Sequence, residues 1–147
     1  MSVDYFDFDK QSPEELLQYD LTEMIGGNPY YLLNAIRVHG FEKALRSFAE
    51  HKILIGWSAG ALVIGPNLKL INIYAPEMNT LKLSDLTALS LTTIQMLPHY
   101  SKFLERYEEF EEKCLQYEKH NKCKVIRIND GEGIIIEKDQ VKIISIS

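Results

Sequence analysis

The sequence predicts an α/β fold: a mostly parallel β-sheet flanked by helices, with a β-hairpin at the C-terminal end. Two strand candidates, residues 21–25 and the apolar run Ile53–Gly56, each pass through glycines into a stretch with helical periodicity. Strands that alternate with helices in this way form parallel sheets, and ligands of such sheets gather at the carboxyl ends of the strands. At 147 residues, with neither a repeat nor a low-complexity linker, the chain fits a single domain.

The composition argues against several classes of function. Sixteen basic and 21 acidic residues give a net charge of −5 without a Lys/Arg-rich run, so we expect no nucleic-acid or anionic-membrane partner. The acidic N-terminus resembles no secretion signal, and no apolar run reaches the roughly 18 residues of a membrane span, which predicts a cytoplasmic protein. Cys114 and Cys123 are then expected as reduced thiols. Together with His120 they match no familiar zinc pattern, so we predict neither a metal nor a cofactor.

The first elements are a strand candidate and a short helix. Residues 3–8 combine aromatic and β-branched side chains, which favours a strand. Ser12 as N-cap, Pro13 at the first helical position and Glu15 three residues after the cap predict the start of a helix. We expect this helix to run to about Tyr19.

A glycine-rich corner follows the strand at 21–25. Gly26 and Gly27 end this strand, and a proline suited to the first helical turn comes two residues later. Backbone N–H groups become available at such a corner. The helix that follows stops at Gly40, and a second helix over 41–51 carries apolar residues at i, i+3, i+4 and i+7.

The most informative stretch is the turn GWSAG, which joins the strand Ile53–Gly56 to an apolar helix. A turn this tight needs glycine on both sides of Ser58, because a Cβ there would collide with the neighbouring backbone. Ser58 is then pushed out at a helix N-terminus, and the N–H of Ala59 can point at an oxygen that Ser58 attacks. The stretch predicts a nucleophile elbow, although a plain strand-turn-helix junction has the same pattern.

The segment after the elbow supplies a candidate base. The pattern loosens over residues 66–90: residues 68–74 alternate imperfectly, residues 75–79 are loop-like, and the region could cross over the active edge. A strand over 91–97 closes at Pro98, and His99 falls just beyond its carboxyl end, where a base could meet Ser58. An isolated histidine is also common as a surface or packing residue.

The C-terminal part is expected to close the sheet. The longest helix is predicted over 102–119, with a buried aromatic stripe and a glutamate-rich solvated face. A strand at 124–128 follows. After it we predict a hairpin of 133–137 with 141–146, joined across residues 138–139.

Three corners taken together resemble one known family. The sequences GGN at 26–28 with the helix YYLLNAIR, GWSAGA at 56–61 and PHYS at 98–101 occur in the order and spacing of the peptidase E family of serine peptidases, family S51. This family includes aspartyl dipeptidase and has cyanophycinase as a relative. The closing stretch INDGEGIIIEKDQVKII is also similar to the family's last strands. The resemblance covers nearly the whole chain and implies a flavodoxin-like fold similar to class I glutamine amidotransferases.

The resemblance also implies a serine peptidase mechanism. Ser58 would be the nucleophile and His99 its general base, while the N–H groups of Gly27 and Ala59 would form the oxyanion hole. An α/β-hydrolase is rejected because only 41 positions separate serine from histidine and the chain is short for that fold.

The third member of the triad is expected between the serine and the histidine, where the family has an acidic or amide residue. Glu77 is the first choice, with Asn79 and Asp85 in reserve. The residue would orient the imidazole and stabilise its protonated form.

The implied substrate is a short peptide, in aspartyl dipeptidases one with an N-terminal aspartate. Binding its side chain needs a cation, and Arg106 or Lys102 could supply it, although both could equally be solvated charges on an amphipathic helix. Asn28 at the glycine corner is a further candidate for substrate binding.

The family usually has one more strand and helix before the part that matches residues 3–8. We therefore expect an N-terminally shortened peptidase E-like domain over residues 1–147, whose apolar sheet edges are paired or covered in a homodimer. The alternative function is a noncatalytic relative that acts in binding or assembly, because a fold alone does not establish activity.

Overall fold

The structure, a computed structural model, describes residues 2–138 and 140–145. Helices are α1 (Pro13–Leu16), α2 (Pro29–Val38), α3 (Glu42–His51), α4 (Ala59–Ile64), α5 (Lys69–Tyr74), α6 (Tyr100–Arg106) and α7 (Phe110–Asn121), with a 3-10 turn at Pro76–Met78. Strands are β1 (Leu21–Met24), β2 (Ile53–Gly56), β3 (Gln95–Pro98), β4 (Val125–Ile128), β5 (Glu132–Glu137) and β6 (Gln140–Ser145). Within the described ranges, no helix combines the length and apolar character needed to cross a membrane.

The predicted α/β class with parallel strands is confirmed, but the strands do not form one sheet. β1 pairs in parallel with β2, and β3 pairs in parallel with β4. The C-terminal hairpin, expected to close the sheet, is instead a separate antiparallel pair of β5 and β6. Asp139 of its predicted turn and Ile146 of its predicted second strand lie outside the described residues.

The N-terminal segment differs from the prediction in two respects. Residues 3–8 form no strand, because Phe6 and Phe8 instead pack their rings on Phe41, at centroid distances of 5.8 and 4.5 Å. The capping box of α1 is present, with Ser12 and Glu15 hydrogen-bonded reciprocally, but the helix ends after one turn at Leu16 rather than near Tyr19.

Helix α4 connects the two parallel pairs. It contacts β1, β2 and β3, and it carries the elbow of the GWSAG turn at its N-terminus. The larger apolar core lies between α2, α3 and α4, and it includes the predicted stripe of α3, whose members Ala44, Leu45 and Phe48 are buried. Both faces of β3 are buried as well, since all four of its residues are inaccessible.

Two predicted elements of the C-terminal half are shorter than expected. The strand at 91–97 begins only at Gln95. The helix at 102–119 is broken into α6 and α7, because Tyr107 has extended backbone angles and Glu109 is left-handed, with φ of 54°. The break lets Tyr107 stack on Phe110, 6.2 Å between ring centroids. Both rings belong to the predicted aromatic stripe, which packs in a second apolar cluster.

Candidate active site

Ser58 has the strained backbone that the elbow prediction requires. Its φ of 51° and ψ of −107° lie outside the regions open to most L-residues, at the junction between β2 and α4. A Cβ on Gly56 would lie 2.7 Å from the backbone nitrogen of Ala61, and one on Gly60 only 2.2 Å from the carbonyl oxygen of Met24. Both flanking glycines are therefore required by the close approach of backbone to backbone, as predicted.

The structure brings the glycine corner against Ser58. An ideal Cβ on Gly26 would lie 3.3 Å from Ser58 Cβ and 3.8 Å from Ser58 Oγ. Gly27 has a φ of +128° and open space beside it, so its backbone approaches the site without a side chain. Ala59 is the first residue of α4, and its N–H has no acceptor within the helix.

Asn28 holds this corner in place. Its Oδ1 accepts from the N–H groups of Tyr30 and Tyr31 at the start of α2, and its Nδ2 donates to the carbonyl of Met78 at 2.8 Å. The side chain thus caps a helix and ties the 3-10 turn to the glycine corner, which leaves one amide hydrogen for the substrate contact that the sequence suggested.

His99 follows β3 in a left-handed conformation, with φ of 58°. Its Nδ1 donates to Asp130 Oδ1 at 2.5 Å, and Lys102 Nζ lies 2.5 Å from the other carboxylate oxygen of Asp130. Hydrogen bonds from Lys102 and then from His99 hold the pKa of Asp130 below its ordinary value, so the carboxylate is charged at neutral pH. A carboxylate on Nδ1 leaves Nε2 as the basic nitrogen of a neutral imidazole.

Asp130 is the candidate acid that the sequence reasoning missed. It lies in the turn after β4, and the register of the parallel pair sets Pro98 of β3 opposite Ile128 of β4. The two strands therefore end side by side, and the residues just beyond them meet. A signal was present, since Asn-Asp-Gly directly follows a predicted strand, but the choice of acid was restricted to the segment between Ser58 and His99.

The sequence-based candidates for the third member occupy other places. Glu77 is exposed on the 3-10 turn. Asn79 holds the loop by two hydrogen bonds with the backbone of Leu83, and Asp85 pairs with Arg37 at 3.2 Å. In the described structure no hydrogen bond joins any of the three to His99.

The two candidate cations differ in their surroundings. Lys102 forms an ion pair with Asp130, as described above. Arg106 is exposed at the end of α6, where its guanidinium lies 5.3 Å from the centre of the Tyr107 ring and forms no ion pair among the described residues.

A charged network behind His99 supports the site. Arg127 of β4 donates to Glu111 at 2.7 Å and to Glu118 at 2.9 Å, and Tyr100, the residue after His99, donates to Glu111 at 2.6 Å. Hydrogen bonds from Arg127 hold the pKa of both glutamates below the ordinary 4.5. The network therefore links Tyr100, next to His99, to β4, the strand that precedes Asp130.

We expect Arg127→Met to lower the free energy of unfolding at pH 7 by roughly 2–3 kcal/mol, less than for a fully buried pair because the cluster is partly exposed. The folded-state pKa values of Glu111 and Glu118 are depressed, so their contribution is present above about pH 4.5 and is lost as the pH falls through those values. Urea titrations at pH 7 and about pH 3 should show the difference between wild type and variant shrinking in acid. Arg106→Met is the matched control; an equal loss there, or a difference independent of pH, would contradict the assignment.

The residues that a serine hydrolase would use lie on strand ends and helix starts, but Ser58 and His99 are not hydrogen-bonded to each other among the described residues. Catalytic hydrogen bonds are often long in unliganded sites and tighten when substrate binds. A strained serine, two N–H donors near it and an imidazole oriented by a carboxylate can carry out acyl transfer once Ser58 and His99 come within hydrogen-bond reach.

Comparison with known proteins gives consistent results. The sequence model of peptidase family S51 matches residues 1–144. An uncharacterized peptidase of Listeria monocytogenes is 30% identical over 128 residues, which cover 86% of this chain and 61% of that protein. A protein named Peptidase E from a Shewanella species is 32% identical over 79 residues, which cover 53% of this chain and 32% of the Shewanella protein.

A solved structure shares the fold. It belongs to a candidate peptidase E protein from Listeria monocytogenes EGD-e and superposes with a TM-score of 0.71 at 26% identity, covering 97% of this chain and 69% of that chain. This neighbour confirms the glutamine amidotransferase-like α/β fold that the resemblance implied. The chain spans about six tenths of the length of the Listeria relatives that it matches, 61% and 59%. With the family model matching almost the entire chain, the protein belongs to peptidase family S51.

Proposed function

We propose that the protein is a serine peptidase acting on short peptides. The observation that carries this proposal is the strained elbow, where Ser58 has φ of 51° and ψ of −107°. Close backbone contacts require the glycines on both sides of it, and the glycine corner at Gly26 lies against it. Backbone strain of about 1–3 kcal/mol persists where function needs it, and here it accompanies a serine placed at a helix N-terminus.

In the proposed reaction Ser58 Oγ attacks the peptide carbonyl carbon while His99 Nε2 takes the hydroxyl proton. The carbonyl oxygen becomes an oxyanion, held by the N–H groups of Gly27 and Ala59. When the C–N bond breaks, His99 returns the proton to the departing amine, and an acyl-serine remains. Water, deprotonated by His99, then hydrolyses that ester and restores the hydroxyl.

Asp130 takes the role of the orienting acid in this proposal. Its 2.5 Å contact with His99 Nδ1 fixes the tautomer and stabilises the imidazolium that forms during attack. Lys102 on the second oxygen keeps Asp130 charged but weakens its field at the imidazole. Glu77, the choice made from sequence, has no such contact with His99 in the described structure.

The substrate class is proposed to include peptides with an N-terminal aspartate. A β-carboxylate needs a cation, and Arg106 is the better candidate because Lys102 is already paired with Asp130. A noncatalytic relative is the alternative, favoured by the absence of a hydrogen bond between Ser58 and His99 in the part of the chain described.

Labelling with a small fluorophosphonate tests the proposal, because only an activated serine reacts readily with this reagent. We expect one adduct on Ser58 by intact mass and peptide mapping, and its loss in His99→Ala. Hydrolysis of Asp-X dipeptides by the same preparation would extend the result to substrates. Folded wild-type protein without adduct or hydrolysis would favour the noncatalytic alternative.

The role of Asp130 has a separate test. We expect Asp130→Asn to slow labelling and hydrolysis by about 10²–10⁴-fold, because the amide can place its oxygen or its NH₂ on Nδ1 but cannot stabilise the imidazolium. Glu77→Gln should change either rate less than about threefold, because Glu77 makes no hydrogen bond to His99 in the described structure. The opposite ranking of the two variants, measured on folded protein by progress curves, would return the role to Glu77.

A further inference from the structure

One face of the first parallel pair is apolar and open to solvent. The register sets Leu21 beside Ile53 and Glu23 beside Ile55, so these four side chains share a face, and Ile25 and Trp57 continue the alternation just beyond the strands. The exposed fractions are 40% for Leu21, 60% for Ile53, 59% for Ile25 and 58% for Trp57. We call these six residues the open face.

The open face is unusual for a parallel sheet. Parallel strands are normally covered on both sides, and β3 in this protein follows that rule, with four buried residues. The opposite face of β1 and β2 also follows it, since Met24 is buried and Leu54 packs against the core. The antiparallel hairpin of β5 and β6 also exposes apolar side chains, with Ile143 at 65%. Of the two described parallel pairs, however, it is the first that leaves an apolar face without a layer, and a contiguous apolar patch of this kind marks an interaction surface.

The open face borders the candidate active site. Trp57 directly precedes Ser58, and Ile25 directly precedes Gly26, so the apolar strip ends at the elbow. Gly26 and Gly27 are exposed. Two surface clefts, one between α5 and α7 and one between α1 and α3, both lack Ser58 among their lining residues. A layer on the open face would add a wall beside Ser58.

We propose that a second copy of this chain covers the open face in a two-fold dimer and thereby completes the pocket around Ser58. The second half of this statement rests on the proposed function; the first does not. The complement of an apolar sheet face must itself be apolar, and an isologous contact supplies such a surface from the same residues.

The size and charge of the open face fit this occupant. Its four most exposed side chains offer roughly 400–500 Å² of apolar surface, close to the apolar share of the 800 Å² per partner in a standard interface. Glu23 is its only charged residue, whereas a protein of net charge −5 presents acidic groups elsewhere. Two copies can therefore approach through the open face with the least like-charge repulsion.

Trp57 makes the proposal directly measurable, because it is the only tryptophan of the chain. Sedimentation should give twice the 17.0 kDa chain mass, with a Kd at or below about 10 μM. Dilution should dissociate the dimer and shift the Trp57 emission to the red in parallel, as the indole becomes hydrated. A monomer at every concentration up to about 100 μM, or a dimer with unchanged Trp57 emission, would overturn the proposal.

A matched pair of variants tests the surface itself. Ile53→Asp should weaken the dimer at least tenfold, whereas Val38→Asp, the same change on α2 at a side chain that is 68% exposed, should leave it unchanged. Circular dichroism checks that both variants fold. If Ile53→Asp does not fold, the dilution measurement on the wild-type protein still tests the dimer. Equal dimerisation of both variants would assign the contact to another surface and refute ours.

The link to the active site is read by fluorophosphonate labelling. The rate at Ser58 should fall at least tenfold in monomeric Ile53→Asp and stay unchanged in Val38→Asp. Undiminished labelling of the monomer would refute the proposal that the dimer completes the pocket, but it would not refute the proposed interface. Absence of labelling in a wild-type dimer would instead contradict the proposed function, so the two failures are distinguishable.

Discussion

Replacing Ser58 by alanine is expected to lower kcat/KM for peptide hydrolysis by about 10⁴-fold or more, because the proposed mechanism forms its acyl intermediate on Ser58 Oγ. Folding should be nearly unaffected: alanine has the same backbone cost at φ of 51°, and Ser58 Oγ makes no hydrogen bond in the described residues. The measurement is hydrolysis by purified variant and wild type, with thermal unfolding of both. Ser84→Ala, at an exposed loop serine, should hydrolyse at the wild-type rate.

A second substitution at the same position separates strain from chemistry. Ser58→Gly should abolish turnover as alanine does, but it should raise the free energy of unfolding by about 1 kcal/mol, since glycine accepts positive φ without a steric cost. Stabilisation together with loss of activity is what a strained catalytic position predicts. If both variants retain wild-type turnover, Ser58 is not the nucleophile, and the elbow has only a structural role.

The largest effect on stability is expected for Gly60→Ala. The added Cβ would lie 2.2 Å from the Met24 carbonyl oxygen and 2.9 Å from the Met24 carbonyl carbon. Backbone atoms of β1 cannot move aside without breaking its pairing with β2, so we expect a loss of about 3 kcal/mol or more in urea unfolding. Because this contact sets the distance between α4 and β1, the rate of Ser58 labelling should fall as well.

Gly40→Ala is the matched control for this change. Gly40 has a φ of +73° but nothing within 4 Å of an ideal Cβ, so alanine there meets only the cost of the left-handed backbone, about 1–2 kcal/mol. A smaller loss at Gly60 than at Gly40 would show that β1 and α4 can separate freely, and would refute the tight packing at the elbow.

The sequence determined the local features whose physics is contained in a few adjacent residues. The glycines around Ser58 predicted the elbow, because a tight turn with two close backbone approaches leaves almost no other residue possible. Pro13 and the capping box likewise predicted where α1 starts. The end of α1 and the break between α6 and α7 were not predictable in this way. Apolar periodicity continues across Tyr107 whether or not the backbone stays helical there.

The tertiary structure alone decided which residues meet. Asp130 reaches His99 only because the parallel pairing of β3 with β4 brings both strand ends together, and a register is a long-range property that no local pattern contains. Pairing also decided that β1 and β2 stand apart from β3 and β4, which leaves Ile53 and Trp57 in solvent. Apolar residues in the sequence indicate burial, but what buries them depends on the layers that the assembled fold provides.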